Sequence, residues 1–192
     1  MLSIIMIRHF ATKGNLQKRY IGITEEPLCK EGLSVLEEIS YPQAEAVFVS
    51  PMLRCRETAK LIYPDIIPII CNDFRECDFG EFEKKNYMEL STTPVYQAWI
   101  DSNGMLPFPQ GENPEEFTKR CNKEFERVVA ISLKNGYRTI ALIVHGGTIM
   151  SILDRFSYPK EDYYHWQTGN GKGYITYLDA EEGRLTNICC IQ

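Results

Sequence analysis

The chain reads as an α/β protein, a three-layer α/β/α sandwich around a mostly parallel central sheet of about six strands. Three observations predict this. Apolar runs of strand length alternate with stretches of helical period along the 192 residues. The run "TIALIV" (139–144) is apolar on both faces, as a strand covered by helices on each side must be. No repeat, low-complexity tract or linker breaks the alternation, so residues 1–192 are expected to form a single domain.

Strands are expected at 3–7, 46–49, 66–70, 139–144, 173–178 and 185–189. Between them, helices announce their starts. "SPMLRCRETAKLIY" offers Ser50 as N-cap and Pro51 as the first helical residue. "NPEEF" offers Asn113 as cap, Pro114 next and Glu116 at the capping-box position. Phe117, Cys121, Phe125, Val128 and Val129 then form one apolar stripe at spacings of three and four. "HGGTIMSILDRF" opens a third helix directly after the central strand. The segment 83–112, rich in Tyr, Trp, Phe, Pro and Gly, is only weakly periodic. It reads as short helical turns and loops inserted between sheet elements, the usual place for specificity.

Composition narrows the function. A net charge of −5 argues against a nucleic-acid surface, and no window approaches a membrane span. The opening "MLSIIMIRHF" lacks a basic leader and cleavage site, and the seven cysteines show no CxxC pair. Reduced, mostly packed thiols in a cytoplasmic protein are the expectation. Vicinal Cys189 and Cys190 read as part of a terminal strand.

Four stretches place arginine, histidine or glutamate where a strand ends: Arg8-His9 with Asn15, Arg54, Glu76, and His145-Gly146-Gly147. Ligands of open α/β sheets bind beyond the carboxyl ends of the strands, so the four can converge on one crevice. Taken singly, each has an ordinary structural explanation. As a set they suit phosphoryl transfer without a metal. Arginines match phosphate oxygens, and a glycine-lined helix start after His145 admits an anion. One imidazole can attack, and a carboxyl such as Glu76 can protonate the leaving group. His9 and His145 lack the spacing of a metal site, and no GxSxG elbow is present. His165, in "YYHWQ", reads first as packing.

These residues resemble a known family. "IRHFATKGN" is similar to the R-H-G-x-T-x-x-N signature of the histidine phosphatase superfamily, the phosphoglycerate mutase-like fold. "SPMLRCRETA", "FRECDFGEFE" and "VHGG" resemble its other motifs, in the family's order. The resemblance implies His9 as the phosphorylated nucleophile and Glu76 as proton donor. Arg8, Arg54 and His145 would bind the phosphate, Asn15 and the Gly146 N–H would complete the cradle, and no metal or cofactor is needed. Phe10 stands in place of the usual glycine, and a ring there is expected to narrow the pocket or reorient the backbone. Cys55 replaces an alanine. "RYIGITEEPL" (19–28) resembles the α-ribazole phosphatase branch of cobalamin synthesis, with Glu25 in place of aspartate. Tyr87, Tyr96, Trp99 and Phe108 would suit a flat benzimidazole nucleoside. The alternatives are a phosphoglycerate mutase, a broad sugar or nucleotide phosphatase, and a non-catalytic phosphate-binding module. The expected partner is a small phosphomonoester, with neither nucleic acid nor membrane, and the chain a monomer or homodimer.

Overall fold

The almost wholly buried run of Ile and Met at Leu2–Arg8 forms β1. The chain continues through α1 (Lys13–Leu16), α2 (Val35–Glu38), β2 (Ala46–Val49), α3 (Leu53–Ile62), β3 (Ile69–Ile70), α4 (Tyr87–Leu90) and α5 (Pro94–Asp101). It ends with α6 (Pro114–Lys134), β4 (Thr139–Val144), α7 (Gly146–Phe156), β5 (Gly173–Asp179) and β6 (Arg184–Ile191). The computed structural model describes all of residues 1–192. One sheet has the order β3-β2-β4-β1-β5-β6. β3, β2, β4 and β1 run parallel, and β5 is antiparallel to both β1 and β6. The mostly parallel six-stranded sheet expected from sequence is therefore present.

Alternation along the inner strands divides the core into two layers. Ile4, Met6, Leu142 and Val144 pack with Phe125 and Val128 of α6 and with Ile149 and Ile152 of α7. On the other face, Ile5, Ile7, Val49 and Ile143 pack with Cys55, Ala59 and Tyr63 from α3 and its end. A third cluster lies under the inserted segment, where Phe82, Leu90, Tyr96 and Phe108 meet Phe117 and Cys121 of α6. The stripe read along α6 is thus shared between two clusters, and Val129 is only partly buried.

Three local expectations need correction. The strand expected at 66–70 shrinks to Ile69–Ile70, because Pro68 has no N–H to give the ladder and Ile66 donates instead to Tyr63 in a turn. Helix α3 begins at Leu53 rather than Pro51, and Ser50 is not its cap; its hydroxyl is bonded to His145. Asn113 does cap α6, but its Oδ1 accepts from Glu115 N at 2.8 Å and no reciprocal bond from Glu116 closes a box. Cys55, Cys71, Cys77 and Cys121 are buried as expected, whereas Cys189 and Cys190 lie exposed in β6. No helix is long and apolar enough to cross a membrane.

Candidate active site

The centre of the site is set by strand register. Arg8 pairs with Val144, and the His9 N–H donates to the Val144 carbonyl at 3.0 Å. The next residue of each strand, His9 and His145, is therefore its neighbour's companion, with ring centroids 5.2 Å apart. The chain leaves β1 toward β2 on one side and β4 toward β5 on the other, so this point is the switch in strand order.

His9 Nδ1 lies 2.7 Å from the Phe10 carbonyl, which can only accept, so Nδ1 carries the proton. Nε2 meets no protein group and is left with its lone pair. Burial, then repulsion from Arg54 and Arg8, holds this imidazole well below its ordinary pKa, so it is neutral. The Phe10 ring does not narrow the pocket, contrary to expectation. It is fully buried away from the cavity, edge-on to Tyr41 at 6.1 Å and against Gly171. Gly171, at φ +76°, leaves the room: a Cβ there would sit 2.9 Å from the ring. The Phe10 N–H donates to Thr58 Oγ1 at 3.0 Å, so the backbone at this position is held from both sides.

Arg54 is fully buried, and its guanidinium donates to the carbonyls of Thr24, Ile21 and Gly22 at 3.0, 3.2 and 2.8 Å. Arg8 donates to the Thr168 carbonyl at 2.7 Å. The Nε–H groups of both arginines are buried without any acceptor. Two unpartnered cationic donors in a site with two imidazoles suit an anion. Gly146 opens α7 against this point, where a Cβ would stand 3.5 Å from the Arg8 guanidinium carbon. The free N–H groups of the first turn of α7 add positive potential.

His145 is wholly buried. Its Nε2 is 2.8 Å from Ser50 Oγ and 3.6 Å from the Cys55 thiol, and its Nδ1 is 3.7 Å from Glu76 Oε2. Burial, followed by Arg54 and His9, holds it well below its ordinary pKa. Burial raises the Cys55 thiol to about 12, so this cysteine is an inert filler. Glu76 accepts from Cys77 N at 3.0 Å, and burial raises its carboxyl against the pull of Arg54. Gly147 lets it approach, since a Cβ there would meet Glu76 Oε1 at 3.3 Å.

A cavity of about 640 Å³ opens over these groups. Arg8, His9, Asn15, Glu76 and Gly146 line it, whereas Arg54 and His145 lie beneath its surface. Asn15 accepts from Thr12 N through Oδ1 at 3.0 Å, and its Nδ2 donates to no protein group. Of the four aromatics expected to greet substrate, Trp99 and Phe108 line the cavity. Tyr96 is buried in the core of the insertion and Tyr87 is exposed. Tyr20, Phe79, Phe117, Tyr163 and Tyr164 add to the aromatic wall. His165 lies outside it, half exposed against Trp166.

Several supporting residues escaped the sequence reading. Arg120 donates to the carbonyls of Asp73, Arg75 and Glu76 at 2.6, 2.7 and 3.1 Å, fastening the loop that carries Glu76. Glu112 holds Arg120 through both oxygens at 2.6 and 2.8 Å. Glu83 accepts from Gly22 N, Ile23 N and Thr24 Oγ1 at 2.9, 3.0 and 2.8 Å, shaping the loop whose carbonyls hold Arg54. Ser50 was visible as a residue but not as the partner of His145.

The model of the histidine phosphatase superfamily (branch 1) matches residues 4–190. The chain belongs to this superfamily. Among related histidine phosphatases, a 2,3-bisphosphoglycerate-dependent phosphoglycerate mutase 2 of Gloeobacter violaceus is 28% identical over 165 residues, 80% of this chain and 74% of that one. A Bacillus subtilis protein named uncharacterized phosphatase PhoE is 26% identical over 168 residues, 82% of this chain and 78% of its own. The crystal structure of the α-ribazole phosphatase from Shigella flexneri shares the fold at a TM-score of 0.77 and 21% identity, over 94% of this chain and 92% of that one. The phosphoglycerate mutase-like fold expected of a histidine phosphatase is thus the one observed.

Two predictions follow from the geometry of this histidine phosphatase. Phe10→Ala is expected to cost about 3–5 kcal/mol in urea unfolding, because it empties a closed packing site; a loss under about 1 kcal/mol would mean that the ring instead faces the open cavity. The second concerns pH. His9 and His145 stay neutral in the folded chain but take protons when unfolded, so stability falls as pH drops below about 6.5. Glu76 acts oppositely: its raised pKa lends stability at low pH that is lost as pH rises through the folded value. Unfolding free energy should therefore decline more gently between about pH 7 and 5.5 in His145→Asn than in the parent. Identical slopes for the two proteins would refute the burial of neutral imidazoles.

Proposed function

We propose that the protein is a phosphomonoesterase that works through a phosphohistidine at His9 and needs no metal. The observation that carries this reading is the fixed tautomer of His9. With Nδ1 bonded to the Phe10 carbonyl, Nε2 presents an unprotonated lone pair, in a site whose two arginines, Arg8 and Arg54, each keep a buried Nε–H without a protein partner.

In this reading Nε2 attacks the phosphorus of a bound monoester, a P–N bond forms, and the P–O bond to the alcohol breaks. Arg8, Arg54, Asn15 and the Gly146 N–H hold the phosphoryl oxygens as charge develops on them. Two negative charges entering the site oppose the burial and the repulsion from Arg54 that hold His145 neutral, so His145 takes up a proton from solvent and joins the cradle. Glu76, whose carboxyl is raised by burial toward the protonated form, gives its proton to the departing alkoxide. It then takes one from a water that attacks phosphorus. The P–N bond breaks, inorganic phosphate leaves, and His9 returns neutral.

For the finer assignment we favour α-ribazole 5'-phosphate, hence a place in cobalamin synthesis and in the cytoplasm, with the chain working as monomer or homodimer. The stretch 19–28 and the wall of Tyr20, Phe79, Trp99 and Phe108 support it. The second reading, a phosphoglycerate mutase, is supported by the name of the Gloeobacter violaceus relative.

Hydrolysis of p-nitrophenyl phosphate in excess chelator is expected, with kcat lowered about ten-thousand-fold or more in His9→Ala. Activity lost on chelation and restored by a divalent ion would overturn the metal-free course; vanadate binding without any turnover would favour a non-catalytic module. Glu76→Gln should slow an alkyl phosphate by about a hundredfold or more but p-nitrophenyl phosphate by less than about tenfold, because nitrophenolate leaves without a proton. Equal losses on both substrates would remove Glu76 from the role of acid.

A further inference from the structure

The cavity is electrically two-ended. Arg8 marks its phosphate end, with Arg54 beneath. Toward the mouth, the one other cation among the lining residues is Arg19, and its charge is already matched. Its Nη1 and Nη2 donate to the two carboxylate oxygens of Glu89 at 2.8 and 3.1 Å, and Nε donates to Gln17 at 2.8 Å. No lysine lines the cavity, but two further carboxylates do: Glu115 in the first turn of α6 and Asp154 in α7. Glu115 has no cationic partner, and Asp154 shares Lys160 at 3.1 Å. The N-terminus of α6 also opens here, yet it offers no anion site, because Asn113 caps it and Glu115 and Glu116 already load its first turn.

A substrate bound by its phosphate therefore meets an aromatic wall and a rim where the Glu115 carboxylate is unpaired, with no unpaired cation for a second acidic group. We propose that the cavity selects phosphomonoesters with an uncharged aromatic body and excludes those that carry a carboxylate as well, phosphoglycerates included. This rests on the phosphomonoesterase reading and deepens it, because the rim decides between substrates that the phosphate end cannot tell apart. Repulsion at the rim acts through the body of the substrate, so it appears in binding rather than in the bond-breaking step.

The probes are a phenyl phosphate bearing a propionate side chain and its primary amide, which share ring, length and leaving group. Calorimetric titration into His9→Ala, which holds the ester intact, is expected to give a Kd at least about tenfold lower for the amide. The gap should shrink with added salt, and Glu115→Gln in the same background should narrow it to within about threefold. Equal affinities, no binding of either probe, or a gap indifferent to Glu115→Gln would each overturn the proposal. Turnover of the amide by the parent protein is read separately: discrimination in binding without any hydrolysis would refute the phosphatase reading and leave the selection intact.

Discussion

The pairing of Arg8 with Val144 is the constraint on which the site depends. β1 and β4 are buried along most of their length, so their ladder cannot slip without turning a whole apolar row to the wrong face. His9 and His145 inherit that rigidity as the first residues beyond it. The cost of the arrangement is electrostatic, since two arginines and two imidazoles share one buried place. The imidazoles answer by giving up their protons, and neutrality is the state a nucleophilic nitrogen needs. Arg54 answers by donating to three carbonyls and Arg8 to one, yet each keeps an unmatched Nε–H. Two unmatched cationic donors in one place would favour an anion such as the phosphate of the proposed substrate.

The ends of the inserted segment tie the cavity wall to the floor. Glu83, at its start, closes the 22–24 loop whose carbonyls hold Arg54. Glu112, at its end, holds Arg120, which holds the loop carrying Glu76. Both glutamates meet backbone N–H groups or a guanidinium in partly enclosed surroundings, where such bonds are strongest. A wall anchored in this way cannot shift far without moving either Arg54, the proposed phosphate ligand, or Glu76, the proposed acid. Specificity and chemistry therefore share the same fastenings, although the residues that express them are different.

Much of this was legible in the sequence, for reasons that mark where legibility stops. The inner strands and α6 announced themselves because burial on two faces, or along one stripe, leaves a periodic trace. Arg8, His9, Arg54, Glu76 and His145 stood out as costly residue types at strand ends. What the sequence could not convey is where a polar side chain aims. Ser50 before a proline reads as a cap, and only the sheet geometry, bringing β2 beside β4, turns its hydroxyl to His145 instead. Arg120 looks like any surface charge on a helix until the 73–76 loop is folded onto it. Strand β3 is shorter than its apolar run because Pro68, in the middle of 66–70, leaves the hydropathy intact but removes a ladder donor.

Phe10 shows the same limit from the other side. A bulky ring next to the proposed nucleophile looks damaging when the position is judged by its side chain. The site, however, uses this residue only through its backbone: the carbonyl fixes the His9 tautomer, and the N–H is held by Thr58. Neither contact specifies what the Cβ carries. The ring leaves on the side opposite the cavity, where Tyr41 flanks it and Gly171 yields the space a Cβ would fill. Gly171 also donates its own N–H to the Arg8 carbonyl at 2.9 Å, so the residue that makes room for the ring also braces the end of β1. A substitution that departs from the family pattern is thus absorbed by packing behind the strand, and the atoms facing phosphate are left as the pattern requires.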